Sequence, residues 1–215
     1  MSDATNPIAL SQVANSRQAM PEENDSTMLT EDRFVVIPGE GWATFLKLDK
    51  LLEHRRCVSL TYLNWDIQIA FISNPHVLLK LRIHQMILDY CVEANVDLYC
   101  EGSATRRIEG ELSIEPDDSF VFHEVKERPD MVLEISLKSG GINRLEIYRI
   151  LGIPEVWIWR DNQLEIWQLD QEHFRQAKMS QFIPDLDLKL VEELATEDNS
   201  TSGMLREFRK RQFAK

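Results

Sequence analysis

The sequence predicts a mixed α/β fold, a β-sheet flanked by helices and carrying extra β-hairpins, and three observations support this. Two short apolar runs, 58–63 and 67–72, are parted by Asn64-Trp65-Asp66, the spacing of a β-hairpin. A second pair, 156–159 and 164–169, is joined through Arg160-Asp161-Asn162-Gln163. Between them lie a strand-like run at 131–135, the pair Gly140-Gly141 and a helix-like segment at 142–151. Hairpins on either side of a strand–helix–strand centre indicate a mixed sheet.

Taken in order, residues 1 to about 30 are rich in Ser, Asn, Asp, Gln and Ala, and are expected to form a mobile tail. Residues 31–215 then read as a single domain with helices at its C-terminal end. Phe34-Val35-Val36-Ile37 opens ordered structure and Pro38-Gly39 ends it. Trp42, Phe45, Leu46, Leu48, Leu51 and Leu52 share the face of a first helix near 41–54. After the first hairpin, Asn74 is placed to cap a helix with Pro75 at its first position. That helix runs to about Ala94, because Leu79, Ile83, Met86, Ile87 and Tyr90 fall on one side.

A strand is expected at 96–100, a polar loop at 103–111 and a strand at 120–122. Gly152, with Pro154 two residues on, ends the helix of the centre. Beyond the second hairpin, 188–194 and 204–213 read as closing helices.

Composition narrows the function. The chain has 215 residues, enough for a real core, and ordinary apolar and charged fractions. It has no run of membrane-span length and no basic-then-apolar leader, so the expectation is a cytoplasmic protein with no membrane partner. Cys57, Cys91 and Cys100 are scattered and read as reduced thiols. A net charge of −12 argues against strong nonspecific affinity for nucleic acid, though a local basic patch is compatible with it. The one clearly basic segment holds Arg206, Arg209, Lys210, Arg211 and Lys215. Such a segment usually solvates a helix end.

The candidate chemistry rests on two acids. Glu134 lies inside an apolar strand, where a carboxylate is costly unless solvated, paired or bound to a cation. Asp117 sits at the mouth of the preceding strand. If the two strands pair, both carboxylates reach one end of the sheet, and such a pair suits a hard divalent ion such as Mg²⁺. The structural alternative stays open: Asp117 caps a turn and Glu134 lies on a wetted sheet face. His76 and His84 are eight apart on the predicted helix, and with no third ligand in view they do not make a zinc site. Trp157, Trp159 and Trp167 are expected to pack the last hairpin.

Several motifs together resemble a widespread bacterial family of restriction-type endonucleases in the PD-(D/E)XK nuclease superfamily. They are Glu115-Pro116-Asp117, Pro129-Asp130 with Glu134 four residues on, Ser139-Gly140-Gly141-Ile142 with Leu145-Glu146-Ile147-Tyr148-Arg149, and Leu151-Gly152-Ile153-Pro154-Glu155-Val156-Trp157. Tyr62-Leu63-Asn64, the helix entry Ser73 to His76, Gly102-Ser103-Ala104-Thr105 and Pro184-Asp185-Leu186-Asp187 extend the likeness over about 34–210. The resemblance implies a nuclease-like core, Mg²⁺- or Mn²⁺-dependent hydrolysis of DNA phosphodiester bonds, and a homodimer. It places Asp117 and Glu134 at the family's metal-binding acids.

The departures are chemically uneven. Val77 stands where the family has a glutamate after the residue matching His76, and Ser136 stands where the superfamily has its lysine. In nearer relatives that lysine has moved into the following helix, and Arg144 matches it here. Arginine keeps the positive charge that orients a phosphate, but its high pKa makes it a poor proton acceptor. Lys138 is a candidate substitute cation, or else a solvated strand-end side chain. Three readings follow: an endonuclease using Asp117, Glu134, Arg144 and Lys138; a degenerate relative acting as a binding or assembly module; and an enzyme using the same acids on a substrate other than nucleic acid.

Overall fold

A computed structural model describes residues 29–214. The predicted tail therefore lies almost wholly outside the described residues. The described residues build two sheets. The first is antiparallel and five-stranded, in the order β1-β3-β2-β6-β5, from β1 (Arg33–Pro38), β2 (Val58–Leu63), β3 (Asp66–Phe71), β5 (Arg106–Ile108) and β6 (Leu112–Ile114). The second is six-stranded and mixed, in the order β11-β10-β9-β8-β7-β4. Its strands are β4 (Leu98–Cys100), β7 (Asp118–Phe122), β8 (Met131–Ile135), β9 (Glu155–Arg160), β10 (Gln163–Asp170) and β11 (His173–Ala177).

Among the described residues only β8 and β9 pair in parallel, which demands a crossover, and helix α3 (Arg144–Leu151) supplies it. Side-chain alternation along β8 then sorts the core. Met131, Leu133 and Ile135 point into the larger cluster, beneath α2 (Asn74–Glu93), α4 (Leu188–Thr196) and α5 (Thr201–Gln212). Val132 points the other way, into a cluster shared with Ile147 and Tyr148 of α3 and with Leu63, Leu112 and Ile114 of the first sheet. A third cluster around Phe45 and Tyr62 seats α1 (Trp42–Leu52) on the first sheet. Glu134 shares the Val132 side of its strand, so it faces the seam between α3 and the first sheet.

Local sequence explains most boundaries and corrects a few. Ser73, not Asn74, caps α2: its hydroxyl accepts from the His76 amide, which places Asn74 in the first helical position. Segment 103–111 is not all loop, because Arg106–Ile108 pairs with Leu112–Ile114 in a further hairpin. Strand β11 is also additional; it is a polar edge strand with little apolar alternation to betray it. Asn143 caps α3, and Gly152 ends it in the left-handed region with φ of 67°. The basic C-terminal segment is not a free patch: Arg209 holds Asp89, Arg211 holds Glu193 and Lys210 approaches Glu207.

Candidate active site

Strands β7 and β8 pair antiparallel with Asp118 opposite Leu133, so the next register position sets Asp117 opposite Glu134. Their separation along the chain is thereby cancelled in space. The Asp117 carboxylate bridges to the neighbouring strand, its Oδ2 accepting the Ile135 amide at 2.7 Å. Glu134 is 2% exposed and has two partners. The Arg144 guanidinium donates to its Oε2 at 2.6 Å, and the Tyr148 hydroxyl donates to Oε1. Arg144 and Tyr148 stand one turn apart on α3, so a single helix delivers both.

The placement of Arg144 depends on a tight approach before α3. Gly140 and Gly141 adopt φ of 102° and 87°, and the loop lies on Gln68 of β3, whose Oε1 accepts the Ile142 amide at 2.8 Å. A Cβ at Gly141 would collide with that same amide oxygen, so glycine is needed here for space as well as for φ. Lys138 sits on the rim of the site, 3.0 Å from Glu31, with both side chains exposed. Ser136 donates its hydroxyl to the Lys138 carbonyl.

His76, weighed from the sequence only as a zinc ligand and set aside, lies at the centre of the site. Its imidazole is 3% exposed and lies between two carboxylates. Nδ1 is 2.7 Å from Asp32 Oδ2, and Nε2 is 2.9 Å from Asp117 Oδ1. The second contact falls off the ring's N–H axis, so Nε2 is buried without a hydrogen-bond partner. Asp32 is fixed in turn by the Ser73 amide at 2.8 Å. The family likeness around Ser73 and His76 was the available signal; no feature of spacing pointed to Asp32, 44 residues upstream. His84, its companion on α2, turns instead to Asp118 at 2.7 Å, so the two histidines serve different acids.

Charge in the site is strongly coupled. Burial pushes Glu134 upward and the nearby Asp117 charge adds to that, against the pull of Arg144. Burial also works against ionised Asp117, yet His76 and then Arg144 hold it below the usual aspartate range. Burial alone would lower His76, but Asp117 and Asp32 outweigh it and lift the ring to about 9. A cavity of about 250 Å³ opens beside this cluster. Asp32, His76, Glu134 and Arg144 line it, with Arg33, Lys138 and Arg160 adding positive charge.

Two adjacent strands carry the paired acids and the crossover helix adds a cation, within a mixed α/β fold consistent with a restriction-endonuclease-like architecture. The chain belongs to the Uma2 family, described as "Putative restriction endonuclease", whose pattern matches residues 42–197. No curated protein matches it. Asp32 and all of β1 lie upstream of the matched region, as α5 lies downstream.

Restriction-endonuclease-like families generally use divalent metals. Among the described residues no ready-made group of three or more His, Cys, Asp and Glu side chains is poised to hold an ion. The donor chemistry nevertheless fits one hard cation: Mg²⁺ commonly takes one or two carboxylates and completes its shell with water and substrate phosphate. Asp117 and Glu134 supply that pair, and the unpartnered His76 Nε2 faces one of its oxygens. No helix among the described residues is long and apolar enough to cross a membrane.

Proposed function

We propose that this chain is a divalent-metal-dependent endonuclease that hydrolyses DNA phosphodiester bonds. The observation that carries the reading is that Asp117 stands opposite Glu134 on the neighbouring strand, and that Glu134 lines a cavity to which Arg33, Lys138, Arg144 and Arg160 bring positive charge. Asp117 and Glu134 would hold the ion, which when bound polarises the phosphate and lowers the pKa of an attacking water. Arg144 remains charged throughout, since Glu134 and Asp117 raise its pKa against the effect of burial. It orients a phosphate oxygen and offsets developing negative charge, and it takes no proton. Lys138 and Arg33 at the cavity edge offer contacts for flanking phosphates.

One observation favours a second reading, a nuclease-fold binding module without hydrolysis. Arg144 is already committed to Glu134, and Val77 removes the acid that relatives carry beside His76. Plasmid cleavage in Mg²⁺ or Mn²⁺ separates the readings. The parent should cut, and Asp117→Ala or Glu134→Gln should lose at least ~10²-fold, the scale on which removal of one electrostatic stabiliser acts. Equal cutting by parent and variants would take both acids out of the mechanism, and no cutting by any of them would favour the binding module.

A further inference from the structure

We infer that His76 is itself a ligand to the divalent ion, through Nε2, and that Asp32 is the residue that aims it. The inference rests on the metal-dependent reading above. It goes further by adding a nitrogen donor to a site otherwise made of carboxylates.

The first argument is geometric. Nε2 and Asp117 Oδ1 stand 2.9 Å apart, and the contact lies off the N–H axis, so a ring proton does not bridge them along a hydrogen bond. At that distance the two atoms share a cation, and the ring's own proton, though off that axis, fills that role until a metal ion displaces it. Neighbouring ligands on an octahedral ion with bonds of about 2.1 Å are themselves about 3 Å apart. His76 and Asp117 thus already stand in the relation of adjacent ligands.

The second argument concerns the other ring nitrogen. Metal-binding histidines usually donate their free N–H to a carboxylate, which fixes the tautomer and turns the remaining lone pair toward the ion. Asp32 occupies that position at 2.7 Å from Nδ1, anchored by the Ser73 amide at the start of α2. Glu134 would be the third donor, and in this structure Arg144 and Tyr148 hold its oxygens. This accounts for the lack of a ready-made group of three.

Nitrogen also changes which ion is favoured. Imidazole suits transition metals, whereas a site of oxygens and water suits Mg²⁺ equally well. The chain should therefore bind Mn²⁺, a first-row transition ion that accepts nitrogen, more tightly than Mg²⁺.

The test uses the full chain and Mn²⁺ alone, with affinity from calorimetry and ligand identity from electron spin-echo modulation, which detects a directly bound ¹⁴N. The parent should show one nitrogen coupling. His76→Ala should lose it and bind more weakly, and Asp32→Asn should weaken Mn²⁺ roughly 10- to 100-fold, the usual range for loss of a ligand-orienting partner. Thermal melting of each variant checks the fold. If His76→Ala does not fold, the parent's spectrum together with Asp32→Asn still decides. Mn²⁺ bound without nitrogen coupling, or with a coupling that His76→Ala retains, would overturn the role of His76 and leave the carboxylate-metal reading standing. No Mn²⁺ binding by the parent would overturn both.

Discussion

Two buried glutamates on adjacent parallel strands have opposite fates. Glu155, at the start of β9, is fully buried, and each of its oxygens meets two neutral donors. Oε1 accepts from the Trp157 indole and the Ser180 hydroxyl, and Oε2 from the Gln168 amide and the Gln181 backbone. Glu134 on β8 is nearly as buried, but it faces a cavity, pairs with a cation and shares its field with a second acid. A buried carboxylate saturated by neutral donors acts as a strut, here tying the 180–181 loop to β9. One held by charge beside open space has coordination to spare. Burial alone does not separate structural from chemical acids; the number and kind of donors does.

Making the same substitution at both positions breaks the comparison most sharply. Glu155→Gln puts an N–H₂ where two donors converge, leaving at least one unsatisfied, and should cost on the order of 2–4 kcal/mol in urea unfolding. Glu134→Gln removes a charge whose desolvation opposes folding, keeps an acceptor for Tyr148, and leaves Arg144 partly exposed to water. Its effect at neutral pH should stay within about 1 kcal/mol, with either sign allowed. Equal losses at the two positions would mean that Glu134 is also a strut.

A double-mutant cycle sharpens the contrast by measuring what Arg144 contributes. Arg144→Met alone strands Glu134 in a low-dielectric site and should destabilise by about 2 kcal/mol; in the Glu134→Gln background the loss should shrink, giving a coupling of about 1–2 kcal/mol. A coupling near zero would show that the guanidinium is held by its helix and not by the acid, and would free it for substrate.

How much of this was legible beforehand follows from the range of each interaction. The faces of β8, and with them the opposite directions of Glu134 and Met131, came from period-two alternation within five residues. Asp117, Glu134 and Arg144 were legible as motif positions, and the register of β7 on β8 brought the first two together. The hairpin at Arg106–Ile114 was hidden because its first strand carries charged side chains that pair outward, Arg106 with Glu101 and Arg107 with Asp49. Asp32 and Gln68 were hidden for another reason. Each acts on a group 44 to 74 residues away across the two-sheet seam, and no local pattern records such a partner.

The smallest effect concerns the companion histidine. His84 Nδ1 lies 2.7 Å from buried Asp118, and that contact first, then Cys100, lifts the ring to about 9 against the effect of burial. A histidine whose pKa is higher folded than unfolded binds its proton more tightly in the native state. Its contribution is therefore complete below pH ~6.5, the ordinary histidine value, and disappears as pH rises toward 9. Asp32 and Asp117 lift His76 in the same way, so the parent's melting temperature should fall across pH 6.5 to 9 through both rings. His84→Gln removes one share of that slope and leaves the other. Because the His84 side chain is 22% exposed, solvent screening limits its share to roughly 1 kcal/mol, about 2–4 °C for a chain of this size. Differential scanning calorimetry at several pH values reads the two slopes directly. An unchanged slope in the variant would assign the whole alkaline loss to the Asp32–His76–Asp117 cluster, making the cavity, and not the α2–β7 contact, the place where proton binding is tied to folding.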